Sequence, residues 1–482
     1  MSVLFIFRRD LRIEDNLALN RAIEFANDNK LKLILSFCFD EKQIDKNKYF
    51  SNNSFQFMIE CLEELNSTLS NNLSFFEEGT FYQNIKDVKA IAFNLDYTPY
   101  AVKRDETIVK YCEKQNIQTL LEEDYTLHKL RNINTKTNKL EPSVKTGKNG
   151  AYKKFTPFYN EAIQLAVSTQ HTKKKFEIDD IQRLGNSKLL KKYKSESDKN
   201  MEGGRTNGLD ILKQIQDDVF KKYKQNRNIV NHPNSTTKLS AFLKFGCISI
   251  REVYDTILKK YGKKAELIRQ LYWKEFYANI TYYYPHVLEG MSTVKGENKS
   301  FTEKYDQMKW KYDDELFKHW CDGKTGIPFV DAGMSQLNQT GFMHNRLRMI
   351  TASFLVKDLG IDWREGERYF ATKLVDYDPA SNNGGWQWVS GTGTDANPYF
   401  RIFNPWNQMQ DYDKQCEYVK KWIPELSDVD SEDIHKWYDK SVRDKYEEVK
   451  YNPPIVDHYV KDGKFNKSKM DYIKERYMLK QT

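Results

Sequence analysis

The sequence predicts an α/β domain followed by an all-α domain, because two kinds of apolar periodicity occupy different parts of the chain. Short runs of Val, Ile, Leu and Phe lie at residues 2–7, 31–37 and 88–93. Segments with helical periodicity lie between and after them, at residues 16–27, 56–69 and 101–114. Strands that alternate with helices form parallel sheets with helices on both faces. Residues 1–130 are therefore predicted to form a Rossmann-like domain.

The rest of the chain divides into a polar linker and a helical domain. Residues 131–205 are Lys-rich and weakly periodic, although YKKFTPFYNEAI at 152–163 is expected to dock on a neighbouring element. From residue 206 onward, apolar stripes with helical spacing lie at 208–224, 236–245, 249–259, 264–283, 312–321, 327–338, 343–358 and 364–373. Residues 206–482 are therefore predicted to form an all-α domain.

Composition and motifs narrow the class of protein. The 482 residues carry a net charge of +8 and a pI near 8.8, which permits nucleic acid as a partner without requiring it. No apolar run is long enough to span a membrane, so a soluble intracellular monomer is expected, in the cytoplasm or the nucleus. No GxGxxG follows the first strand, which argues against a dehydrogenase-type site. Six dispersed cysteines and eight unclustered histidines indicate reduced thiols and no metal site.

The stretch 376–408, DYDPASNNGGWQWVSGTGTDANPYFRIFNPWNQ, shows neither helical nor strand periodicity cleanly. Its four glycines allow the backbone to approach a flat group closely. Hydrogen-bonding side chains lie beside two indoles in this stretch: Asp376, Asp378, Asn382, Asn383, Trp386 and Trp388. This combination predicts a site for a large planar ligand with polar edges. The alternative is a Gly-rich surface loop whose indoles fill the core.

The predicted helix over 264–283 presents an aromatic and polar face. Gln270, Trp273 and Tyr277 fall at i, i+3 and i+7, which places them on the same side of a helix. An amide beside a flat indole suits an unstacked nucleobase, because the indole can stack and the amide can read the base edge. The alternative is an aromatic stripe in the core.

The segment 341–354 presents a second polar face, which carries Asn345, Arg348 and Met349. Arg348 is suited to a fork pair with a carboxylate such as Asp376 or Asp378. Arg346 is turned off that face and is expected to be free for a phosphate. The alternative is that both arginines are structural or solvated.

STTKLS at 235–240 is predicted to open a helix, where hydroxyls meet unpaired N–H groups and the positive end of the helix dipole. Such a helix start can bind an anion, and Tyr223 and Arg227 lie just upstream, where they could close over it. The alternative is an ordinary N-cap.

Longer segments resemble the DNA photolyase and cryptochrome family, and within it class I cyclobutane pyrimidine dimer photolyases most. The resemblance rests on FIFRRDLRIEDNLAL (5–19), NRLRMITASFLVKDLGIDWREGERYF (345–370), NNGGWQW (382–388), GTDANPYFRIFNP (393–405) and PIVDH (454–458). It covers nearly the whole chain, and the Lys-rich linker is the least similar part.

The resemblance implies that the helical domain binds FAD in a folded conformation. The positions that match cofactor-binding residues of the family are Tyr223, Thr236, Thr237, Lys238, Leu239, Ser240, Arg348, Asp376, Tyr377, Asp378 and Asn382. Among these, Arg348 is expected to pair with Asp376, and Asn382 is expected to lie beside flavin N5. The family's route for electrons from the surface to the flavin matches Trp310, Trp363 and Trp386.

The resemblance also implies a substrate, UV-damaged DNA, and a light-driven reaction. In the family, the lesion is flipped out of the duplex, and photoexcited reduced FAD gives it an electron that opens the cyclobutane ring and then returns. The positions that match lesion or DNA contacts are Arg227, Gln270, Trp273, Asn345, Arg346, Met349, Trp388 and Gln408.

One position departs from the class I pattern, which usually has Glu where this chain has Gln270. Gln is typical of (6-4) photolyases and animal cryptochromes, so Gln270 leaves a (6-4) photolyase as an alternative. Those enzymes also carry His where this chain has Asn345 and Met349, and neither Asn nor Met can transfer a proton. The sequence therefore favours a cyclobutane pyrimidine dimer enzyme.

Two further functions stay open, and so does the identity of one cofactor. A blue-light signalling cryptochrome is disfavoured by Asn382 and by the Trp273 and Trp388 pair, and a flavin-binding DNA protein without photochemistry is the second possibility. Many relatives hold a second, antenna chromophore, which is a folate, a deazaflavin or another flavin. Residues 94–105 lie where its contacts are expected.

Overall fold

The computed structural model describes residues 1–44, 47–85, 87–133, 140–146, 150–168, 174–185, 188–291, 297–396 and 402–456. The predictions for parts of the linker, for part of GTDANPYFRIFNP and for the end of PIVDH therefore lie outside the described residues. The first part contains a parallel sheet with the strand order β3-β2-β1-β4-β5, formed by β1 (Ser2–Phe7), β2 (Lys32–Phe39), β3 (Ser74–Glu77), β4 (Val88–Asn94) and β5 (Gln118–Glu122). In register, Val3 of β1 lies between Leu33 of β2 and Ala90 of β4.

The sheet is central in its domain, since all six residues of β1 are buried. The helices of this part are α1 (Leu17–Asp28), α2 (Glu41–Ile44), α3 (Asn52–Thr68), α4 (Glu78–Asn84) and α5 (Pro99–Lys114). Three of them begin at side chains that accept a hydrogen bond from the first turn: Asn16, Ser51 and Thr98. The predicted α/β class is confirmed, while β3 and β5 were not predicted.

The connecting segment contains β6 (Asn132–Ile133), β7 (Leu140–Glu141), α6 (Phe155–Ala162) and α7 (Lys188–Tyr193), with a 3₁₀ turn at Ile178–Asp180. The segment expected to dock does so as α6, because the ring of Phe155 stacks on Trp273 with 3.6 Å between centroids. The predicted domain boundaries at 130 and 206 stay predictions.

The remainder is helical, as predicted. Its α-helices are α8 (Arg205–Gln216), α9 (Tyr223–Asn226), α10 (Ser240–Phe245), α11 (Ile250–Tyr261), α12 (Glu266–Tyr283), α13 (Asp314–Cys321), α14 (Pro328–Thr340), α15 (Asn345–Ser353), α16 (Trp363–Lys373), α17 (Pro379–Ser390), α18 (Pro405–Tyr412), α19 (Glu417–Trp422), α20 (Ser431–Ile434) and α21 (Lys440–Arg443). Shorter turns are 3₁₀-helical at Pro285–Met291, Glu303–Gln307 and Pro424–Leu426 and π-helical at Phe354–Leu359. In the described part of the chain, no helix has the length and apolar character needed to cross a bilayer.

Two helix predictions need correction. The helix predicted over 236–245 begins only at Ser240, because Lys238 has a φ of 57° and lies outside the helical region. The segment 208–224 is split between α8 and α9. The Gly-rich stretch after residue 376, for which no helical period was visible, forms α17, with Asp378 as its N-cap and Pro379 in its first turn.

Close packing at the end of β1 joins the sheet to the helical part. The backbone N–H of Leu11 donates to the carbonyl of Phe245 at 3.0 Å. Gly246 has a φ of 61°, and a Cβ there would lie 2.2 Å from the carbonyl oxygen of Arg9. Only glycine allows the two backbones to approach this closely.

A buried charge network lies beside this junction and involves Arg12, Asp15, Asp124 and Arg251, none of which is more than 5% exposed. Arg251 donates to Asp15 at 2.9 Å and to Asp124 at 2.6 Å, and Arg12 donates to Asp124 at 2.5 Å. Burial alone would raise the pKa of Asp124, but the two guanidinium groups outweigh it and lower that pKa.

We predict that Arg251→Ala lowers the free energy of unfolding by about 3–5 kcal/mol, because Asp15 and Asp124 each lose a buried ion pair. Arg21→Ala is the matched control, since the Arg21 side chain is 47% exposed in its pair with Glu122. The control is expected to cost at most about 1 kcal/mol. Urea denaturation followed by circular dichroism measures both changes, and equal losses would contradict the prediction.

Candidate functional site

The helices enclose a cavity of about 360 Å³, which we call the helical cavity. Ten predicted cofactor-binding residues line it: Tyr223, Thr236, Thr237, Leu239, Ser240, Arg348, Asp376, Tyr377, Asp378 and Asn382. Four predicted lesion-binding residues line it as well: Gln270, Trp273, Asn345 and Met349. Of the predicted cofactor residues, Lys238 alone is absent from this lining, and its side chain is exposed. One cavity therefore brings together residues that are distant in the chain.

Asp376 is the carboxylate that Arg348 contacts. Nη2 of Arg348 lies 3.1 and 3.0 Å from the two carboxylate oxygens, while Nε donates to the carbonyl of Met343. The pair is therefore made by one nitrogen and not by the fork that the sequence suggested. Ser240 Oγ donates to the same carboxylate at 2.6 Å, which ties the start of α10 to this pair.

Asp378 joins the cavity to the α/β part. Its Oδ2 accepts hydrogen bonds from Arg9 at 2.5 Å, Tyr97 at 2.8 Å and Tyr125 at 2.6 Å. Its Oδ1 accepts from the backbone N–H of Ser381 at 2.9 Å and so caps α17. Burial alone would raise the pKa of Asp378, but the charge of Arg9, followed by that of Lys274, holds it well below the usual range.

The loop before α10 offers hydroxyl groups to the cavity. The backbone N–H groups of Lys238 and Leu239 donate to Thr236 Oγ1 and Thr237 Oγ1, at 3.2 and 3.4 Å. The sequence predicted a helix start with unpaired N–H groups here, whereas the threonine side chains satisfy two of them. The two hydroxyls can still donate toward the cavity, since each accepts from the backbone.

Trp386 and Asn382 lie one turn apart on α17 and line the helical cavity. The Asn382 amide donates to the backbone carbonyl of Glu367 at 3.1 Å. Trp386 packs edge-on against Phe370 and Trp320, with 5.0 and 6.0 Å between centroids.

Glu367 of α16 accepts hydrogen bonds from Asn298 and from Asn383 of α17. Burial raises its pKa to about 7 despite these hydrogen bonds.

Trp363 and Trp310 belong to the same apolar cluster as Trp386, and they are 0% and 8% exposed. The backbone next to Trp310 is held close to the segment that precedes Trp363, since Lys311 N–H donates to the carbonyl of Gly360 at 2.9 Å. A terminal tryptophan exposed to solvent was expected, so the low exposure of Trp310 is a difference from the sequence-based picture.

The predicted nucleobase face of α12 turns toward the cavity, because Gln270, Trp273 and Tyr277 all line it. Phe155 covers one face of the Trp273 indole, with 6° between the ring planes. On α15, Asn345 Nδ2 lies 3.7 Å from Met349 Sδ. Among the described residues that line this cavity there is no histidine.

The other predicted DNA contacts lie outside the cavity lining: Arg227, Arg346, Trp388 and Gln408. Arg346 was expected to be free for a phosphate, but it has partners within the protein. It donates to Asn228 at 2.7 Å and lies 4.6 Å from the Tyr412 ring. Arg227 pairs with Glu266, and Trp388 lies beside Phe403.

Sequence reasoning missed several residues that line or support the cavity. Lys274 is half-buried and lies over the Tyr125 ring, and desolvation lowers its pKa. Lys244 donates to Ser54 of α3, and burial lowers the pKa of Lys244 to about 7. The sequence did contain a signal for Arg9. Two adjacent arginines follow β1 directly, and ligands of open α/β sheets bind outside the carboxyl ends of the strands.

A second cavity, of about 560 Å³, lies at the carboxyl ends of β1, β2 and β4, and we call it the sheet-edge cavity. Its aromatic lining includes Phe7, Phe39, Tyr49, Phe55 and Tyr100, and its charged lining includes Arg8, Asp40, Asp96 and Arg104. Several of these residues belong to the segment 94–105 that the sequence marked for antenna contacts. In open α/β sheets, ligands bind outside the carboxyl ends of the strands.

Fold and site together define a protein with a ligand-sized cavity in a helical bundle that is joined to a doubly wound α/β domain. Residues 3–175 match the family model described as DNA photolyase, and residues 267–470 match the FAD binding domain of DNA photolyase. The chain is 34% identical over 481 residues to the deoxyribodipyrimidine photo-lyase of Buchnera aphidicola, with 95% of each protein covered. It is 45% identical over 232 residues, 46% of this chain and 47% of the relative, to the enzyme of that name from Escherichia coli.

Solved structures agree with these sequence matches. An archaeal photolyase from Sulfolobus tokodaii with two FAD molecules superposes with a TM-score of 0.82, at 36% identity and 99% coverage of both chains. A cryptochrome from Synechocystis superposes with a TM-score of 0.79, at 25% identity, with 98% and 99% covered. The chain therefore belongs to the DNA photolyase family. It is an enzyme of that family, and its cofactor is FAD.

The residues that line the helical cavity fit FAD. Hydroxyl groups of Thr236 and Thr237 can donate to a diphosphate, and the Asn382 amide can donate or accept at a ring edge. A Cβ added at Gly385 would meet no protein atom within 4 Å, so the missing side chain leaves room for a ligand beside α17.

We predict that Gly366→Ala lowers both FAD content and stability. A Cβ at Gly366 would lie 2.1 Å from the Trp386 ring and 2.6 Å from Leu355, so the indole must shift toward the cavity. The expected loss is about 1–3 kcal/mol in the free energy of unfolding. Flavin absorbance per protein and denaturant unfolding measure the two effects.

Gly79→Ala is the matched control, because a Cβ at this position in α4 meets nothing within 4 Å. It should leave FAD content unchanged and stabilise the protein by up to about 1 kcal/mol through helix propensity. Normal flavin content in Gly366→Ala would show that Trp386 can move without disturbing the site.

Proposed function

We propose that this photolyase repairs cyclobutane pyrimidine dimers in DNA. The observation that carries the proposal is a set of four residues that line the helical cavity together: Gln270, Trp273, Asn345 and Met349. These side chains can stack on and hydrogen-bond a flipped pyrimidine pair. No histidine is among the described lining residues, so the imidazole proton donor that (6-4) repair requires has no counterpart there.

The residues of the chain would bind and orient the two ligands. Bound, reduced FAD supplies the light absorption and the electron that opens the cyclobutane ring. Trp273 offers one free face for stacking, since Phe155 holds its other face at a centroid distance of 3.6 Å. Asn345 adds an amide and Met349 a polarisable thioether to the lining of the same cavity.

The three tryptophans and the four residues outside the cavity lining have proposed roles as well. Trp386, Trp363 and Trp310 would carry electrons to oxidised cofactor, which is supported by their membership of one buried cluster. Arg227, Arg346, Trp388 and Gln408 would contact the DNA around the lesion. Arg346 would then have to exchange its hydrogen bond with Asn228 for one with a phosphate.

We predict that wild-type protein, chemically reduced and illuminated, restores DNA that carries a single cyclobutane thymine dimer and does not restore DNA with a (6-4) photoproduct. The double substitution Asn345→His and Met349→His should lower dimer repair at least about tenfold, because two imidazoles displace the amide and the thioether that contact the lesion. Chromatography of the illuminated DNA measures repair, and flavin absorbance measures cofactor content.

Trp363→Phe is the control for intact folding and DNA binding. It should lose light-driven reduction of oxidised protein, yet repair dimers normally once it is chemically reduced. If wild-type protein binds dimers in the dark but leaves them unrepaired under light, the repair proposal is wrong and a signalling role is favoured. Dimer repair that survives both histidine substitutions would place the lesion elsewhere.

We also propose that the sheet-edge cavity holds a second, light-harvesting chromophore with an aromatic ring system. The support is its aromatic lining, the cationic lining residues Arg8 and Arg104, and its position beside the helical cavity, with which it shares Lys244 and Tyr377. The Sulfolobus tokodaii structure that superposes on this chain contains two FAD molecules.

Cys38→Trp is predicted to remove the second chromophore and leave FAD in place, because Cys38 lines only the sheet-edge cavity and an indole would fill part of it. Mass spectrometry of chromophores released from protein reconstituted with folates and flavins measures both ligands. Cys38→Ala is the control and should retain both. The assignment would be contradicted if Cys38→Trp lost only FAD or retained both ligands.

A further inference from the structure

Gln270, the position that departs from the class I pattern, is held by a residue one helical turn before it. Nε2 of Gln270 donates to Oε1 of Glu266 at 2.9 Å. The same oxygen accepts a hydrogen bond from Nη1 of Arg227. Glu266 and Arg227 are only 20% and 35% exposed, so this three-residue chain is partly shielded from water at the edge of the helical cavity.

The hydrogen bond to Glu266 decides which end of the Gln270 amide faces the cavity. A carboxylate has only acceptor atoms, so the nitrogen end of the amide must be the one that turns toward it. The amide oxygen diverges from the nitrogen at the same carbon and is therefore directed away from Glu266. Gln270 also lines the helical cavity, so its amide oxygen is available there as an acceptor.

We propose that Glu266 is a positioning residue that makes Gln270 act as an acceptor toward the N3–H of one pyrimidine in the lesion. The glutamate usual at this position in class I enzymes presents an acceptor by its own chemistry, and here two residues do so together. This inference rests on the proposed function, since it concerns recognition of the dimer in the same cavity.

Arg227 has a separate part in this arrangement. Its guanidinium compensates the charge of Glu266 and holds the oxygen that Gln270 also uses. Without Glu266, the Gln270 amide could turn over, and its NH₂ would then meet the N3–H donor of the base. Loss of one oriented hydrogen bond of this kind corresponds to a weakening of about 5- to 10-fold.

The test is a double-mutant cycle with wild type, Glu266→Ala, Gln270→Glu and the double variant. The readout is the ratio of dark dissociation constants for one duplex with and without a single thymine dimer, with full-length FAD-loaded protein. Glu266→Ala alone is expected to lower this ratio about 5- to 10-fold. In the Gln270→Glu background the same change should have no such effect, because both oxygens of the introduced carboxylate are acceptors and no orientation has to be set.

Two further variants separate orientation from charge and folding. Glu266→Gln keeps an acceptor oxygen for Gln270 and should retain most of the selectivity for the dimer. Arg227→Ala leaves the Glu266 to Gln270 contact in place and should weaken damaged and undamaged duplex alike. A dimer methylated at N3 of both thymines has no donor, so Glu266→Ala should cause no loss of affinity for it.

The outcomes distinguish this inference from the function on which it rests. Equal loss of selectivity from Glu266→Ala in both backgrounds, or equal loss with the methylated dimer, would overturn the positioning role while wild-type repair stays intact. Absence of dimer selectivity and of repair in wild type would instead overturn the proposed function. Flavin absorbance of each variant shows whether the cavity is still formed, and Glu266→Leu, which also lacks an acceptor, replaces Glu266→Ala in the cycle if the alanine variant does not bind FAD.

Discussion

The buried carboxylate of Asp378 is the group on which the cofactor site depends. It takes hydrogen bonds from Arg9 and Tyr97 of the α/β part and from Tyr125, and with its other oxygen it caps α17. A buried carboxylate is stable only with a counter-charge and with its lone pairs satisfied, and here Arg9 after β1 supplies the charge in contact with the acid. The helix that carries Asn382 and Trp386 is therefore positioned by the end of β1.

This dependence explains why a segment with poor helix propensity is helical. Gly384 and Gly385 each cost a helix about 1 kcal/mol relative to Ala, and the neighbouring asparagines are also weak helix formers. The Asp378 cap, Pro379 in the first turn and the packing of Trp386 against Phe370 offset that cost. The glycines are then available for close approach, because the stability of the helix comes from its end and from its buried side.

Local spacing was enough to predict which residues share one side of a helix. The helical repeat placed Gln270 with Trp273 on α12 and Asn345 with Met349 on α15. The family resemblance was needed to predict that these two faces meet at one site and that the cofactor is FAD. The strands β3 and β5 were missed because four- and five-residue strands leave too short a pattern. The contacts of Asp378 with Arg9 and of Trp273 with Phe155 join residues far apart in sequence, and no local pattern encodes such pairs.

The two cavities are separated in part by single side chains. Lys244 and Tyr377 line both, and Lys244 also bonds to Ser54 of α3. Burial, and then the charge of Arg9, lowers the pKa of Lys244 to about 7, while Asp378 and Asp376 oppose that shift. A ligand in one cavity therefore changes the charge environment of a residue that faces the other. For this reason a substitution at Lys244 would disturb both sites together, whereas Cys38, which borders the sheet-edge cavity alone, can separate them.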